Sequence, residues 1–485
     1  MQLESKPNKL NQEISDNDIP LVVDLDGTLI NTDLLHEALI LLVKKNFLYI
    51  FICMGWLFKG KVYLKKKISS HVQVQSKLLP YNTSLLEFLK AEKNKGRKLI
   101  LATASLKSQA TDVSKIHSLF NEVHGTELIN LKGKNKLEFL LREFGKSKFD
   151  YIGNSNSDLI IFASSRYSYL VNPKKSLKKK TKKISDLKQI WNTKTKSFLN
   201  YIKAIRAYQW LKNLLIFIPL ITSHSFNAVD FFQAFIGFIA FNFVASSGYL
   251  INDLLDLESD RTHLRKRNRP IASGKLSIPS ASILALILFT GGFLIASFQN
   301  FQFLIVLILY FIVSFSYSLY LKKRALYDVF ILALLYSIRV IAGALVIDVS
   351  LSSWLIAFST FLFLSLALVK RCSELIQVEN TKSPINEGRE YSIKDINLLQ
   401  VMGIVTGFLS VIVFSLYIDS PEVVILYTRP KLLWIISFLF LFWISNMWLI
   451  TTHGKMTDDP IIFAIKDKSS YFIFFLIGLI LFFST

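Results

Sequence analysis

The stretch "FFQAFIGFIAFNFVASSGYLINDLLDLESDRTHLRKRNRPIASG", residues 231–274, decides how this chain is built. Its first twenty residues are apolar enough to cross a bilayer. Three aspartates, one glutamate and five arginine or lysine residues then follow between 251 and 274. Charge beside lipid is costly and is usually retained for a function. The stretch therefore predicts a membrane-spanning helix that ends in a functional loop.

The composition of the whole chain also indicates an integral membrane protein. The 485 residues are 52% hydrophobic, the mean hydropathy is +0.40, and the net charge is +22. This basic excess favours cytoplasmic loops beside anionic lipid over a nucleic-acid partner, and we expect no nucleic acid. The two cysteines, Cys53 and Cys372, are far apart, so the sequence suggests neither a disulfide framework nor a metal–thiolate site.

Nine apolar runs predict a bundle of nine transmembrane helices. They lie at about 205–222, 229–250, 277–297, 301–320, 325–346, 353–369, 398–418, 431–451 and 470–484. If the N-terminus is cytoplasmic, the inner loops contain 17 Lys and Arg residues and the outer loops contain one. This asymmetry predicts an inner (cytoplasmic) membrane protein whose N-terminal domain and charged loops face the cytoplasm.

The composition divides the chain into four parts. We expect a polar tail without a signal core at 1–19, an α/β domain at 20–172, a lysine-rich linker at 173–200, and an all-α membrane domain at 201–485. The apolar part of 38–60 is too short to span a bilayer, and we expect it to form a helical cap that touches the membrane surface.

The α/β domain begins with "VVDLDGTLI", residues 22–30, which places two carboxylates at the end of a strand. Asp24 and Asp26 at such an edge suit covalent phosphoryl chemistry. One carboxylate attacks phosphorus, while the other protonates the leaving oxygen and later activates water. The alternative is a surface loop rich in Asp and Gly.

Four motifs between residues 20 and 172 resemble the haloacid dehalogenase (HAD) superfamily of phosphatases. "DLDGT" implies Asp24 as the nucleophile and Asp26 as the acid/base, and "LATAS" implies that Thr103 holds the phosphate. "LKGKNK" implies that Lys136 offsets charge. "IGNSNSD" places Asn154 and Asp158 with Asp24 around Mg²⁺, where the family usually has two aspartates. Asn154 adds no charge, so the resemblance also leaves open a regulatory, non-catalytic domain.

The acids after the apolar stretch of 231–250 follow the pattern N-D-x-x-D-x-x-x-D, from Asn252 to Asp260. On one helix, this spacing places Asp253, Asp256 and Asp260 on one face. We expect these catalytic and metal-binding carboxylates to hold Mg²⁺ and, through it, a diphosphate. The alternative is a solvated loop whose acids pair with nearby arginines.

The membrane half resembles the UbiA superfamily of intramembrane prenyltransferases, and more closely its decaprenyl-phosphate phosphoribosyltransferases. The stretches "KAIRAYQWLKN", "NDLLDLESDRTHLRKRNRPIASG", "YSLYLKKRALYDVFILALLYSIRVIAG", "LALVKRCSEL" and "GKMTDDPIIFAIKD" carry this resemblance. It implies transfer of 5-phosphoribose from phosphoribosyl diphosphate (PRPP) to a polyprenyl phosphate, with Mg²⁺ on the leaving diphosphate.

The later motif has few acids and many cations, which suits substrates with several phosphates. Its acid is Asp328, eleven residues before Arg339 on the same helix face. The predicted substrate contacts are Lys212, Asn252, Arg261, Lys266, Arg267, Tyr317, Lys322, Arg324 and Arg339. Snorkelling at the interface is the alternative for Lys212, while His263 is either a bystander or a phosphate contact. Asp458 and Asp459 either cap a helix or contact substrate.

Together the two halves predict a bifunctional enzyme in which the HAD-like domain removes the 5-phosphate and leaves polyprenyl phosphoryl ribose. The alternative is a UbiA enzyme that prenylates an aromatic acceptor from prenyl diphosphate, with a HAD-like domain of separate role. The sequence leaves open the prenyl chain length, the pathway served and whether the chain forms a homo-oligomer.

Overall fold

The computed structural model describes residues 18–192, 198–224, 227–381, 390–456 and 459–484. These residues form two compact units. The first comprises Met1–Ala204 and Asp253–Ile283, and the second comprises Ile205–Asn252 and Leu284–Thr485. The acidic loop thus belongs to the compact unit of the α/β domain. Most of the polar tail predicted at 1–19 lies outside the described residues.

A six-stranded parallel sheet forms the centre of the first unit, in the order β3-β2-β1-β4-β5-β6. Its strands are β1 (Leu21–Val23), β2 (Leu99–Leu106), β3 (Glu122–Thr126), β4 (Asp150–Gly153), β5 (Tyr167–Val171) and β6 (Asp186–Trp191). The predicted α/β domain is therefore confirmed. Because β1 lies between β2 and β4, the loops that follow these three strands meet at one edge of the sheet.

Among the described residues up to Ala204, nine α-helices accompany this sheet. They are α1 (Leu34–Lys45), α2 (Tyr49–Phe58), α3 (Lys61–His71), α4 (Thr83–Asn94), α5 (Lys107–His117), α6 (Lys134–Phe144), α7 (Leu159–Phe162), α8 (Lys175–Ile184) and α9 (Phe198–Ala204). Helices α1 to α3 pack on one another around Ala38, Leu42, Leu64 and Ile68. The expected cap is thus a group of three helices inserted between β1 and β2.

The segment 173–200 differs from the linker that the sequence predicted. It contains α8 and the edge strand β6, which pairs with β5. Leu177 and Thr181 are buried on one face of α8, while the lysines occupy its other faces. Trp191, at the end of β6, is buried in the core. A narrow apolar stripe is therefore enough to attach this basic segment to the sheet.

Twelve further helices follow. They are α10 (Ile218–Thr222), α11 (Ala228–Leu255), α12 (Leu257–Thr262), α13 (Ile278–Gln299), α14 (Phe301–Leu319), α15 (Tyr327–Val346), α16 (Ser353–Thr381), α17 (Ile396–Ile418), α18 (Pro421–Leu426), α19 (Leu433–Thr452), α20 (Pro460–Lys466) and α21 (Lys468–Ser484). In the part of the chain that the structure describes, seven helices are long and apolar enough to cross a membrane. They are α11, α13, α14, α15, α16, α17 and α19.

Two of the nine predicted spans have a different form. The run at 470–484 belongs to α21, which forms with α20 a pair of helices bent by 81°. If this bent pair crosses the membrane as one unit, it is an eighth span. The run at 205–222 forms a 3₁₀ helix, Ala207–Phe217, followed by the short α10. The 3₁₀ helix buries Lys212 and Asn213, while Tyr208 and Leu214 on it are exposed. The count of nine is unconfirmed.

Candidate active sites

The first candidate site, which we call the strand-edge site, consists of Asp24, Asp26, Lys136 and Asp158. Asp24 follows β1 and is buried. Its Oδ1 lies 2.7 Å from Lys136 Nζ, and its Oδ2 accepts from Thr28 Oγ1 at 3.3 Å. Burial raises the pKa of Asp24, Lys136 opposes this shift, and the charge of Asp158 adds to it. Lys136, which was predicted to offset charge at this site, thus contacts Asp24 directly.

Asp26 is held by groups from two other elements. Its Oδ2 accepts from Ser105 Oγ at 2.6 Å and from Thr103 Oγ1 at 3.3 Å, and its Oδ1 accepts from the Leu34 amide at 2.9 Å. Burial, followed by the charge of Asp33, raises the pKa of Asp26 to about 7. A carboxyl group poised near neutral pH is suited to giving and taking a proton. Thr103, predicted to hold phosphate, contacts this acid.

Asp158 closes the strand-edge site from the loop after β4. Its Oδ2 accepts from the amides of Asn154 and Ser155 at 3.3 and 3.0 Å, and its Oδ1 accepts from Tyr151 OH at 3.4 Å. Lys136 Nζ also donates to Tyr151 OH, at 3.1 Å. This tyrosine therefore links the two acids through Lys136.

The turn after Asp26 is so close to Asn154 that only glycine fits there. Gly27 has a φ of +75°, and a Cβ at this position would lie 2.1 Å from Asn154 Nδ2. Asn154 is thus packed directly on the turn that carries the two carboxylates.

The second candidate site, which we call the loop site, consists of Asp253, Asp260 and Arg269. Arg269 Nη1 lies 2.9 Å from Asp253 Oδ1 and 2.7 Å from Asp260 Oδ2. Both carboxylates are buried, whereas the arginine side chain is 26% exposed. A guanidinium thus occupies the position between two acids that were predicted to share a metal ion.

The three loop acids do not lie on one continuous helix, contrary to the prediction. Helix α11 ends at Leu255, and Asp256 has φ −100° and ψ 16° at the N-cap position of α12. The chain continues as α12 from this residue, whose carbonyl accepts from the Asp260 amide at 2.8 Å. Asp256 lies 3.8 Å from Lys44, and it is Asp253 and Asp260 that share Arg269.

Arg261 has a different environment from the one that the sequence predicted. Its guanidinium donates to both carboxylate oxygens of Glu37, at 2.7 and 3.0 Å, and Nε donates to the Ala272 carbonyl at 3.0 Å. Both side chains of the pair are buried. Glu37 also accepts from Thr32 Oγ1 at 2.6 Å. Arg261 therefore uses three of its five N–H donors to connect the loop to Glu37 and to the Ala272 carbonyl.

The remaining basic residues of the loop are nearer to solvent. Lys266 and Arg267 lie in a 3₁₀ helix, Lys266–Asn268, in which Arg267 is exposed. His263 Nδ1 accepts from the Arg265 amide at 3.2 Å, so it organises the turn. Asn252 precedes the loop on α11 and is half-buried.

The second unit contains a third group, which we call the basic cluster. It consists of Lys212, Arg339, Lys370 and Asp459. Asp459 Oδ2 lies 2.7 Å from Lys212 Nζ and 3.6 Å from Lys370 Nζ. Asp459 also caps α20 by accepting from the Ile461 amide at 3.3 Å. The two roles that the sequence left open for Asp459 are therefore compatible, while Asp458 lies outside the described residues.

Tyr336 joins Arg339 to the rest of the basic cluster. Its hydroxyl donates to Asp459 Oδ2 at 3.0 Å, and its ring centroid lies 5.7 Å from Arg339 Cζ and 5.9 Å from Lys212 Nζ. Arg339 itself donates to Asn213 Oδ1 at 2.7 Å and to Tyr310 OH at 3.1 Å. It also donates to the Leu335 carbonyl.

Asp328 lies on the same helix as Arg339 but has separate partners. It forms an ion pair with Arg371 and accepts from Tyr391 OH at 2.5 Å. Of the other predicted contacts, Arg324 lies 3.3 Å from Glu390 with both side chains exposed. Lys322 lies in a 3₁₀ helix, Leu321–Lys323, and Tyr317 lies on α14 against an apolar core.

Several residues of these sites were not found by sequence reasoning. Ser105 was detectable, because it lies two residues after Thr103 on the same face of β2. Lys370 and Asn213 occur inside the quoted UbiA-like stretches, but nothing in the stretches distinguishes them. The roles of Tyr151 and Glu37 depend on contacts with distant segments, which no local pattern reveals.

Both acidic sites offer hard oxygen ligands, the type that Mg²⁺ prefers. At the strand-edge site, the charge of Asp158 acts on the buried Asp24, an unfavourable interaction that a bound cation would relieve. In the described part of the chain, no three His, Cys, Asp or Glu side chains are grouped as a metal site. Mg²⁺ at either site would therefore complete its coordination with water and substrate oxygens, as is common for this ion.

Comparison with known proteins identifies the family. The UbiA prenyltransferase family matches residues 214–381. The protein y4nM of Sinorhizobium fredii is 32% identical over 470 residues, which cover 96% of this chain and 90% of y4nM. The nodulation protein NoeC of Azorhizobium caulinodans is 31% identical over 278 residues, 56% of this chain and 89% of NoeC. The decaprenyl-phosphate phosphoribosyltransferase of Mycolicibacterium smegmatis is 37% identical over 194 residues, 39% of this chain and 61% of that enzyme. This chain belongs to the UbiA prenyltransferase family.

Proposed function

We propose that this UbiA-family protein transfers 5-phosphoribose from PRPP to a polyprenyl phosphate and that its α/β domain then removes the 5-phosphate. The observation that carries the first part is the excess of positive charge in the basic cluster. Lys212 and Arg339 are buried there and Lys370 is partly buried, yet among the described residues the cluster contains one carboxylate, Asp459, which pairs with Lys212 and Lys370.

A bound anion would stabilise this excess of buried positive charge. A charge in a low-dielectric interior is unfavourable unless a partner compensates it. Two of the three cations already share Asp459, and the contacts of Arg339 in the described part of the chain are with neutral groups. Arginine and lysine are the usual partners of phosphate groups. PRPP and a polyprenyl phosphate together supply several phosphates, which fits this cluster.

The environment of Asp328 supports the same choice of substrates. In aromatic-accepting members of the superfamily, we expect the later motif to supply acids for a metal-bound diphosphate. Here Asp328 is already paired with Arg371 and hydrogen-bonded to Tyr391. This pairing reduces its capacity to bind a metal, and it favours PRPP over the alternative of a prenyl diphosphate and an aromatic acceptor.

In the proposed transfer, Asp253 and Asp260 would hold Mg²⁺ in place of the Arg269 guanidinium that lies between them. The ion, when bound, stabilises the charge of the departing diphosphate. Asp256, at the start of α12, would orient a water molecule beside the ion. The acceptor phosphate oxygen attacks C1 of the ribose as the bond to diphosphate breaks. This acceptor is already an anion, so the reaction needs no general base.

The strand-edge site supports the second part of the proposal. Asp24 attacks the phosphorus of the 5-phosphate, and the bond from phosphorus to the ribose oxygen breaks. Asp26, whose pKa is raised by burial to about 7, gives its proton to that oxygen. It then accepts a proton from the water that hydrolyses the aspartyl-phosphate. Lys136, 2.7 Å from Asp24, offsets the charge on the intermediate.

Measurement of diphosphate release tests the transfer. Full-length protein in lipid, with Mg²⁺ and PRPP, should release diphosphate only when polyprenyl phosphate is added. The matched reaction contains prenyl diphosphate and an aromatic acceptor in place of these two substrates. Release in the matched reaction alone would support the alternative function.

Hydrolysis of a chromogenic phosphate ester tests the α/β domain separately. We expect Mg²⁺-dependent hydrolysis that Asp24→Asn removes. If wild-type protein hydrolyses neither this ester nor the phosphoribosyl lipid, the domain is regulatory, and the proposal of a phosphatase fails while that of the transferase stands.

A further inference from the structure

Helix α2 is apolar on two sides but is packed on only one of them. Tyr49, Cys53 and Trp56 lie on the side that packs against the other cap helices. Phe51, Met54 and Phe58 lie on another side, with exposed fractions of 63%, 59% and 91%. A helix that is apolar all around is normally buried all around. The second side of α2 therefore lacks a covering among the described residues.

The exposed side is too large to be an ordinary feature of a water-facing surface. Its large apolar members are Phe47, Leu48, Ile50, Phe51, Ile52, Met54, Leu57 and Phe58, all at least 37% exposed. They are contiguous along 47–58. Contiguous apolar patches of this kind on soluble surfaces mark sites where a protein or a membrane binds.

The charge around the helix identifies the partner. Between Glu37 and Glu87 the chain has eight lysines and no acidic residue. Lys44 and Lys45 precede α2, Lys59 and Lys61 follow it, and all four are exposed. A short apolar helix between lysines matches the border of an anionic bilayer, where apolar side chains enter the acyl region and ammonium groups stay near the headgroups.

We propose that α2 is an interfacial anchor that inserts its Phe51–Phe58 side into the anionic lipid surface of the membrane. With ten residues the helix is too short to span a bilayer, so it lies along the surface. Because α1 and α3 pack with α2, the anchor holds the cap of the strand-edge site at the lipid. A small cleft lined by Leu35, Ala38, Ile68, Lys65, Ser105 and Gln109 opens beside that cap. This inference does not depend on the reaction that the chain catalyses.

Spin labels on the full-length chain in lipid vesicles test the anchor. Cysteines are introduced at exposed positions, as Phe51→Cys, Met54→Cys and Phe58→Cys. Leu128→Cys is the matched control from a loop, because the native Leu128 side chain is 85% exposed. The native Cys53 and Cys372 are buried, and the unmutated chain measures any background labelling. Three positions on one side keep the test valid if one variant fails to fold.

The proposal predicts that labels at 51, 54 and 58 collide more with oxygen, which is soluble in lipid, than with a water-soluble nickel chelate. The label at 128 should show the reverse. Equal access of the nickel chelate to all four positions would overturn the proposal. Protection of positions 51, 54 and 58 from both reagents would also overturn it and indicate a protein contact, and spin–spin broadening would identify a second copy of the chain.

The lipid composition tests the role of the lysines. In vesicles of phosphatidylcholine with phosphatidylglycerol, the label at 58 should lie deeper than in phosphatidylcholine alone. High salt should reduce this difference, because it screens the attraction between lysine and headgroup. The same depth in both kinds of vesicle would show that negative headgroups do not recruit the helix.

Discussion

The strand-edge site and the loop site both place two buried carboxylates beside a cation, but the cation comes from different places. At the strand-edge site, Lys136 is buried on α6, and it contacts both Asp24 and Tyr151. At the loop site, Arg269 belongs to the same loop as the acids, and a quarter of its side chain is exposed. The first cation is buried in the fold, whereas the second is in contact with solvent.

This difference suggests two uses of similar residues. A fixed lysine stabilises charge that appears on the carboxylate during a reaction, so it remains in place throughout. An arginine that bridges two acids compensates their repulsion until a metal ion and a diphosphate replace it. Substitutions at the two sites should therefore distinguish a permanent cation from an exchangeable one.

Replacement of the proposed nucleophile should have the largest effect. We expect Asp24→Asn to reduce ester hydrolysis by about 10⁴-fold or more, because an amide cannot form the aspartyl-phosphate. Diphosphate release from PRPP should stay at the wild-type rate. Asp112→Asn, at an exposed position on α5, is the control. Unchanged hydrolysis in Asp24→Asn would remove this residue from the mechanism.

Loss of a loop carboxylate should impair the other activity. Asp253→Asn removes a ligand for an ion worth several kcal/mol of stabilisation, so transfer should fall by about 10³-fold while ester hydrolysis persists. Asp230→Asn, near the other end of α11, is the matched control. Transfer at the wild-type rate in Asp253→Asn would contradict the metal assignment for this acid.

The Arg261–Glu37 pair should matter for stability. We expect Arg261→Gln to destabilise the chain by about 3 kcal/mol, because it leaves Glu37 buried without its cation. Glu37→Gln should have a similar cost, and the double variant should cost less than the sum. Thermal unfolding of the four proteins in lipid measures this. A raised KM for PRPP in Arg261→Gln with unchanged stability would instead support the substrate contact that the sequence predicted.

Removal of the proposed exchangeable cation, Arg269, should have the smallest effect, and Mg²⁺ should reverse the loss of stability. Without Mg²⁺, we expect Arg269→Gln to lower stability by about 1–3 kcal/mol, since Asp253 and Asp260 then repel each other. Mg²⁺ should restore more stability to this variant than to the wild type. Lys136→Gln is the contrasting variant, in which Mg²⁺ should not replace the role of the lysine in hydrolysis. An equal response of Arg269→Gln and wild type to Mg²⁺ would contradict exchange at the loop site.

The sequence was informative wherever one local pattern has one structural meaning. An apolar run followed by a polar turn correctly predicted β1, β2 and β4 and placed Asp24 at the sheet edge. The long apolar runs correctly predicted the seven membrane helices among the described residues. The resemblance to UbiA proteins agrees with the family match.

The sequence failed where the same pattern fits two structures. Acids at 253, 256 and 260 fit a continuous helix, but they also fit a helix that restarts at an aspartate N-cap, which is the structure observed. The lysines of 173–200 conceal the stripe of Leu177 and Thr181 that packs α8. The apolar run at 205–222 resembles a span, although it buries Lys212 and Asn213. In the last two cases, a contact with a distant segment decides the outcome, and such contacts are absent from local spacing.

The most direct test of the proposed function is the mass of the lipid product. Full-length wild type and Asp24→Asn are each incubated with Mg²⁺, PRPP and polyprenyl phosphate in lipid, and the products are compared by mass spectrometry. The proposed function predicts polyprenyl phosphoryl ribose from the wild type and a product heavier by one phosphoryl group from Asp24→Asn. The same phosphorylated lipid from both proteins would contradict the coupling, and no ribosylated lipid from either would contradict the transfer itself.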